Sequence, residues 1–204
     1  EATAIVHRLV KEIDIVIINA RPDVPEKLGT DYETLSKINP RLIYCDNTAF
    51  GRNGPDSYRP GYDIVIQAVS GLLAADNKVE NGVPQQVSAT AVADYSTGIA
   101  IAWSVCAALF ARERSGIGQK IDTTLLSTAL SVQGSFMELD SYTKETRLEF
   151  LDTLNALKQA EMPYEAMFEQ QRSLAGPTTA FRIYYTTYKT LNGIIAIGCL
   201  SEHL

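Results

Sequence analysis

The 204 residues are 46% hydrophobic and 21% charged, enough for one substantial core or a domain and a half, and no long span has the composition of a disordered chain. A formal net charge of −6, with no dense Lys/Arg run, argues against a nucleic-acid partner, so an anionic ligand would need a local basic site.

The sequence opens at Glu1 inside a helix-like pattern. "IDIVIIN" (residues 13–19) is short, β-branched and nearly all apolar, as a strand covered on both faces should be. After a Pro-containing loop, "DYETLSKIN" (31–39) reads as an amphipathic helix capped by Thr30 or Asp31. "RLIYCDN" (41–47) is a second strand, followed by the turn-rich loop "FGRNGPDSYRPGYD" (50–63). Strand, helix, strand and loop in that order predict a parallel α/β sheet.

"DIVIQAVSGLL" (63–73) predicts a short helix, and the polar residues 75–86 a loop. Residues 94–114 predict an Ala-rich helix of about 30 Å, with basic residues before the stop "SGIG". "QKIDTTLL" (119–126) is a strand, or a strand turning into a helix over 127–139. From 140 to about 175 the composition is polar and charged, as in helical connectors. Residues 181–200 change to a period of two around Asn192-Gly193, a dipeptide that supplies the positive φ angles of a tight hairpin. The sequence closes just after this strand-like pattern, as a portion of a longer chain would.

The apolar run 99–110 has 12 residues, too few to span a bilayer, and "ARER" closes it. With no signal-peptide pattern and no membrane partner, a cytoplasmic location is expected. Cys45, Cys106 and Cys199 lack CxxC spacing and lie in apolar runs, which reads as small buried hydrophobes in a reducing compartment. His7 and His203 stand at opposite ends, so neither a zinc centre nor a Ser-His-Asp triad is expected, and no metal.

Neither strand is followed by GxGxxG, and no GxxxxGK[ST] occurs. In open α/β sheets ligands sit beyond the carboxyl ends of strands. There, "NARPDVPEKLG" (19–29) offers Asn19, Arg21 and Lys27, either a site for an anionic ligand or ordinary solvated charge. Asp94, in "TAVADYSTG" (90–98), is either a helix cap or a functional carboxylate.

Three stretches in order, "INARPDVPEKLGTDYETLSKINPRLIYCDNTAFGRNGP", "RPGYDIVIQAVSGL" and "ADYSTGIAIAWSVCAALFARERSGIGQKID", resemble the class III CoA-transferases of the CaiB/BaiF type. Formyl-CoA transferase and carnitine CoA-transferase belong to that group. The match is collinear from about residue 13 to 139, and residues 181–204 look like the start of the family's smaller domain. The resemblance implies an α/β fold: an open, mostly parallel Rossmann-like sheet domain plus a smaller β-containing domain, in an interlocked homodimer. Residues 1–140 would be the central part of the large CoA-binding domain, 141–180 a helical linker, and 181–204 the start of the small domain.

The implied activity moves CoA from an acyl-CoA donor to a small carboxylic acid acceptor, with coenzyme A entering as substrate. By the same resemblance Asp94, in the "ADxxTG" pattern, is the nucleophile. Asn19 and Lys27 help hold CoA, and Tyr62 of "PGYD" lies near the thioester. Arg21 joins the CoA set on charge grounds. An ionised aspartate, with a reference pKa of about 3.9, needs no histidine to deprotonate it, in keeping with the scarcity of His. Small neighbours, Ala93 and Ser96 to Gly98, leave room for an acyl group, and N–H groups at the helix start are expected to hold developing oxyanions.

Ala20 stands for the usual Phe and Asp23 for the usual Gly of "NFRPG", and Ala49 for the Gly of "SGFG". An acidic Asp23 beside a phosphate-bearing ligand is unhelpful. Two other readings remain. An α-methylacyl-CoA racemase-like isomerase would need an acid/base pair, yet Tyr62 stands where racemases carry the His of "GHD", and an unperturbed Tyr is a poor base. A non-catalytic CoA-binding fragment is the other, since the family's first strand lies upstream of residue 1.

Overall fold

The computed structural model describes residues 1–75, 78–133, 144–174 and 184–199, in two compact units, Glu1–Leu139 and Asp140–Leu204. The first runs α1 (Ala2–Leu9), β1 (Ile15–Ile18), α2 (Val24–Leu28), α3 (Tyr32–Ile38), β2 (Ile43–Thr48), α4 (Asp63–Val69), α5 (Leu72–Ala75), β3 (Val79–Glu80), β4 (Val83–Pro84), α6 (Val92–Ser115), β5 (Lys120–Thr124) and α7 (Leu125–Ser131).

β1, β2 and β5 make a parallel sheet in the order β1-β2-β5, with Ile15 opposite Ile43 and Cys45 opposite Ile121. All six residues of central β2 are buried. Its polar carboxyl half therefore needs internal partners. Arg52 grips Asp46 through Nε and Nη2, Thr123 Oγ1 donates to Asn47 Oδ1 at 3.1 Å, and Thr48 Oγ1 accepts from the Gly51 N–H at 2.9 Å.

Val10, Leu35, Leu42 and Tyr44 form one core cluster, joined by Val16 and Ile18 of β1. Asp31, one of the two expected caps, accepts from the Thr34 N–H at 2.9 Å and starts α3. The segment read as a Pro-containing loop holds the short helix α2: proline sits in its first turn and Gly29, at φ 63°, ends it. A second cluster, Ile66, Ala93, Leu125 and Ala129, unites α4, α6 and α7. Thr124 ends β5 and caps α7, its Oγ1 accepting from the Ser127 N–H at 2.9 Å, so the strand turns directly into the helix.

α6 is twice as long as the apolar run that marked it, and by length and composition alone it could cross a bilayer. It packs instead along β2 and β5 and against α4 and α7. Near its end the buried Arg112 reaches Asp14 at 2.8 Å and donates to the Arg41 carbonyl at 3.0 Å. The other face carries Tyr95, Ile99, Trp103 and Phe110, each 67–78% exposed. Cys106 is also exposed and Cys199 half-buried, so only Cys45 fits the expected buried thiol.

The expected loop 75–86 contains a hairpin. β3 and β4 pair through Asn81 (φ 52°) and Gly82 (φ 75°), the two-residue turn with both central residues left-handed. The second unit holds α8 (Lys144–Gln159), α9 (Tyr164–Leu174) and the antiparallel pair β6 (Tyr185–Lys189) and β7 (Ile194–Gly198). Its hairpin follows the expectation, but neither Asn192 nor Gly193 takes a positive φ. They belong to a four-residue connection closed by the Thr190 N–H donating to the Gly193 carbonyl at 2.8 Å. Residues 134–139 of the helix expected over 127–139 lie outside the described residues.

Candidate active site

A cavity of about 300 Å³ opens at the carboxyl ends of the three parallel strands. Asn19, Ala20, Arg21 and Pro22 line it after β1, Thr48 and Ala49 at the end of β2, and Leu125 after β5. The segment Ser57, Tyr58, Arg59, Pro60, Gly61 and Tyr62 forms another wall, and Asp94 of α6 completes it. The size matches the lower end of small-ligand sites, about 300–1,000 Å³.

Close backbone approaches shape this wall. A Cβ on Gly61 would lie 2.4 Å from the Ala49 Cβ, so only glycine fits there. Arg52 donates through Nη1 to the Pro22 carbonyl while gripping buried Asp46, tying the loop after β1 to the strand beside it. Arg59 is held by Asp56 at 3.1 Å, with its guanidinium 5.5 Å above the Phe50 ring centre.

The structure thus brings Asn19, Arg21, Tyr62 and Asp94 to one cavity, and leaves Lys27 outside its lining. Lys27 pairs with Asp23 at 2.5 Å on the exposed surface of α2, so the two opposite charges of that loop satisfy each other. Arg59 and Tyr58 were not singled out in the sequence. Their only signal was adjacency to "PGYD", in a loop where a charge reads as solvated surface.

Asp94 occupies the third position of α6, not its cap, which is Ala91 and has no side-chain oxygen. The cap comes from elsewhere. Asp63 Oδ1 accepts from the N–H groups of Ala93 at 2.7 Å and Asp94 at 3.2 Å, and Asp63 Oδ2 accepts from Gln67. These two amides are therefore engaged, contrary to the expectation that they hold an oxyanion. The Asp94 residue remains open to solvent, yet its carboxyl is pushed above the ordinary carboxylate value, first by partial loss of water and second by the Asp63 charge.

The family model described as CoA-transferase family III matches residues 1–204. The chain belongs to CoA-transferase family III. It is 39% identical over 128 residues to the acetyl-CoA:oxalate CoA-transferase of Acetobacter aceti, covering 63% of this chain and 33% of that protein. It is 42% identical over 132 residues to the succinate–glutarate CoA-transferase of Agrobacterium fabrum, covering 65% and 32%. A crystal structure of a CaiB/BaiF family protein from Brucella suis superposes with a TM-score of 0.65 at 30% identity, covering 97% of this chain and 45% of that one. The chain spans about a third of the length of the curated family III relatives it matches.

Proposed function

We propose that the protein containing this chain transfers CoA from an acyl-CoA donor to a small carboxylic acid, with Asp94 as the covalent nucleophile. One observation carries the reading: Asp94 lines the cavity at the strand ends while another residue caps its helix. The names of the relatives, which specify oxalate, succinate and glutarate, support small carboxylic acids as acceptors.

The Asp94 carboxylate attacks the donor thioester carbonyl, and the C–S bond breaks to give a mixed anhydride and the CoA thiolate. The thiolate attacks the aspartyl carbonyl and releases the donor carboxylate, leaving an aspartyl-CoA thioester. The acceptor carboxylate attacks that thioester, forming a second anhydride and freeing the thiolate. Attack of the thiolate on the acceptor acyl carbon yields the new acyl-CoA and restores the Asp94 carboxylate. No net proton is taken up, so no histidine is required. A carboxylate is a weak nucleophile in water, and the raised proton affinity of Asp94 and its placement against the cavity act in its favour. With the Ala93 and Asp94 amides engaged, oxyanion stabilisation falls to side chains of the cavity such as Asn19 and Arg21.

The test uses the intact protein. Asp94→Ala abolishes transfer with the fold retained, and incubation with acyl-CoA and hydroxylamine leaves a hydroxamate on Asp94, read by mass spectrometry. Full activity of Asp94→Ala, or modification at other residues only, overturns the reading.

A further inference from the structure

We infer that Asp63 is a positioning residue for the transfer: its carboxylate fixes the first turn of α6 and so sets the point from which Asp94 addresses the cavity. The inference rests on the reading of Asp94 as nucleophile.

The first amides of any helix lack intrahelical acceptors, and a Ser, Thr, Asp or Asn just before the helix ordinarily supplies one. α6 has Ala91 there. The acceptor is supplied from 31 residues earlier, by a side chain on the first turn of α4. One oxygen of Asp63 holds two successive amides, and one of them is the N–H of Asp94 itself. The other oxygen is held by Gln67, which is fully buried and whose Oε1 accepts from the Val87 N–H at 3.2 Å. Val87, Gln67, Asp63 and the start of α6 thus form a continuous relay of hydrogen bonds. Asp63 also directly follows Tyr62, which lines the cavity, so one short segment sets both the wall and the helix that carries Asp94.

The charge on this cap has its own consequence. A neutral cap would leave the positive end of the α6 dipole to favour ionised Asp94. An anionic cap offsets that pull, and Asp63 is one of the causes that raise the Asp94 pKa. The other charged and titratable groups around the cavity are Arg21 and Arg59, from the loops after β1 and before α4, with Tyr58 and Tyr62 beside them.

The experiment compares Asp63→Ala, Asp63→Asn and Asp94→Ala in the intact protein, measuring kcat, KM for acyl-CoA, the acid limb of kcat/KM and thermal melting. Asp63→Ala lowers kcat about 100-fold, the scale of an ångström-sized displacement, with KM within about threefold. Asp63→Asn keeps an oxygen for the two amides but turns its NH2 toward the Gln67 amide nitrogen and loses that hydrogen bond, so kcat recovers only partly, to within about tenfold of the parent. It also removes one charge beside Asp94, so its acid limb moves to lower pH. Parental kcat in Asp63→Ala overturns the inference. So does an unmoved acid limb in Asp63→Asn, which decides the matter even if the alanine variant does not fold. An active Asp94→Ala overturns both readings, whereas an inactive Asp94→Ala beside parental Asp63 variants removes only the present one.

Discussion

Arg52→Ala withdraws the guanidinium that joins the buried Asp46 to the loop after β1. The Asp46 side chain is 1% exposed, and its other cation, Lys120, stands 3.8 Å away while pairing with Asp122 at 2.9 Å. Breaking a buried pair from one side costs about 3–5 kcal/mol because a charge is left without its partner, and the residual help from Lys120 places this case near about 3. The Pro22 carbonyl also loses its donor, adding about 1 kcal/mol. For a protein of about 150–250 residues each kcal/mol moves Tm by about 2–4 °C, so a total of about 4 kcal/mol lowers Tm by roughly 8–16 °C. Circular dichroism melts of the purified variant read this directly. Arg52→Lys recovers only part of the loss, since an ammonium lacks the planar fork that spans both carboxylate oxygens. Replacing both partners, Asp46→Leu with Arg52→Leu, recovers more because no charge is stranded. A fall in Tm below about 2 °C for Arg52→Ala would refute the reasoning.

Two further changes probe the scaffold. Gly61→Ala drives a Cβ into Ala49, and the overpacking costs about 1–3 kcal/mol; the combined Gly61→Ala/Ala49→Gly protein recovers most of the lost Tm, and failure to do so refutes the assigned contact. Asp31→Ala removes the α3 cap at about 1 kcal/mol. Burial works to raise the Asp31 pKa, but hydrogen bonds from Thr34 outweigh it and the net shift is downward. Its stabilising effect is thus complete above the unfolded carboxylate pKa and is lost as pH falls through the lower folded value. The parent and Asp31→Ala should converge in stability only in strong acid, and a constant gap down to that range would count against the assignment.

Features with local causes were legible in the sequence. β1, β2 and α3 announce themselves by short apolar runs and a cap, because β-branched apolar residues in sequence and a Thr34 N–H donating to Asp31 act within a few residues. The rule that ligands sit at strand ends, together with the family resemblance, led to Asn19, Arg21, Tyr62 and Asp94, which share one cavity. Features decided by distant partners were not legible. The dipeptide Asn-Gly occurs three times, at 53–54, 81–82 and 192–193, and only at Asn81-Gly82 does the two-residue spacing between strands demand left-handed φ angles at both residues. Proline and glycine around α2 look like loop punctuation, yet both fit a single helical turn at its ends. The capping role went to Asp94 in the sequence because Asp63 lies 31 residues away, and nothing in the chain pattern announces a cap across that distance. Arg52 and Arg59 sit in a Gly/Pro-rich loop, where charge ordinarily means solvent; their anchors, Asp46 and Phe50, become neighbours only in the folded unit.

The uncovered stripe of α6 has a practical side. Three aromatic rings and an isoleucine aligned on one rod present more greasy surface than a dissolved monomer usually tolerates. Residues 1–204 handled as an isolated polypeptide would accordingly be sticky, and a fusion tag or mild detergent would help keep them in solution. The stripe also carries its own dye: Trp103 is the single tryptophan of the chain, so intrinsic fluorescence reads this one surface, red-shifted while wet and blue-shifted once something dry lies over it.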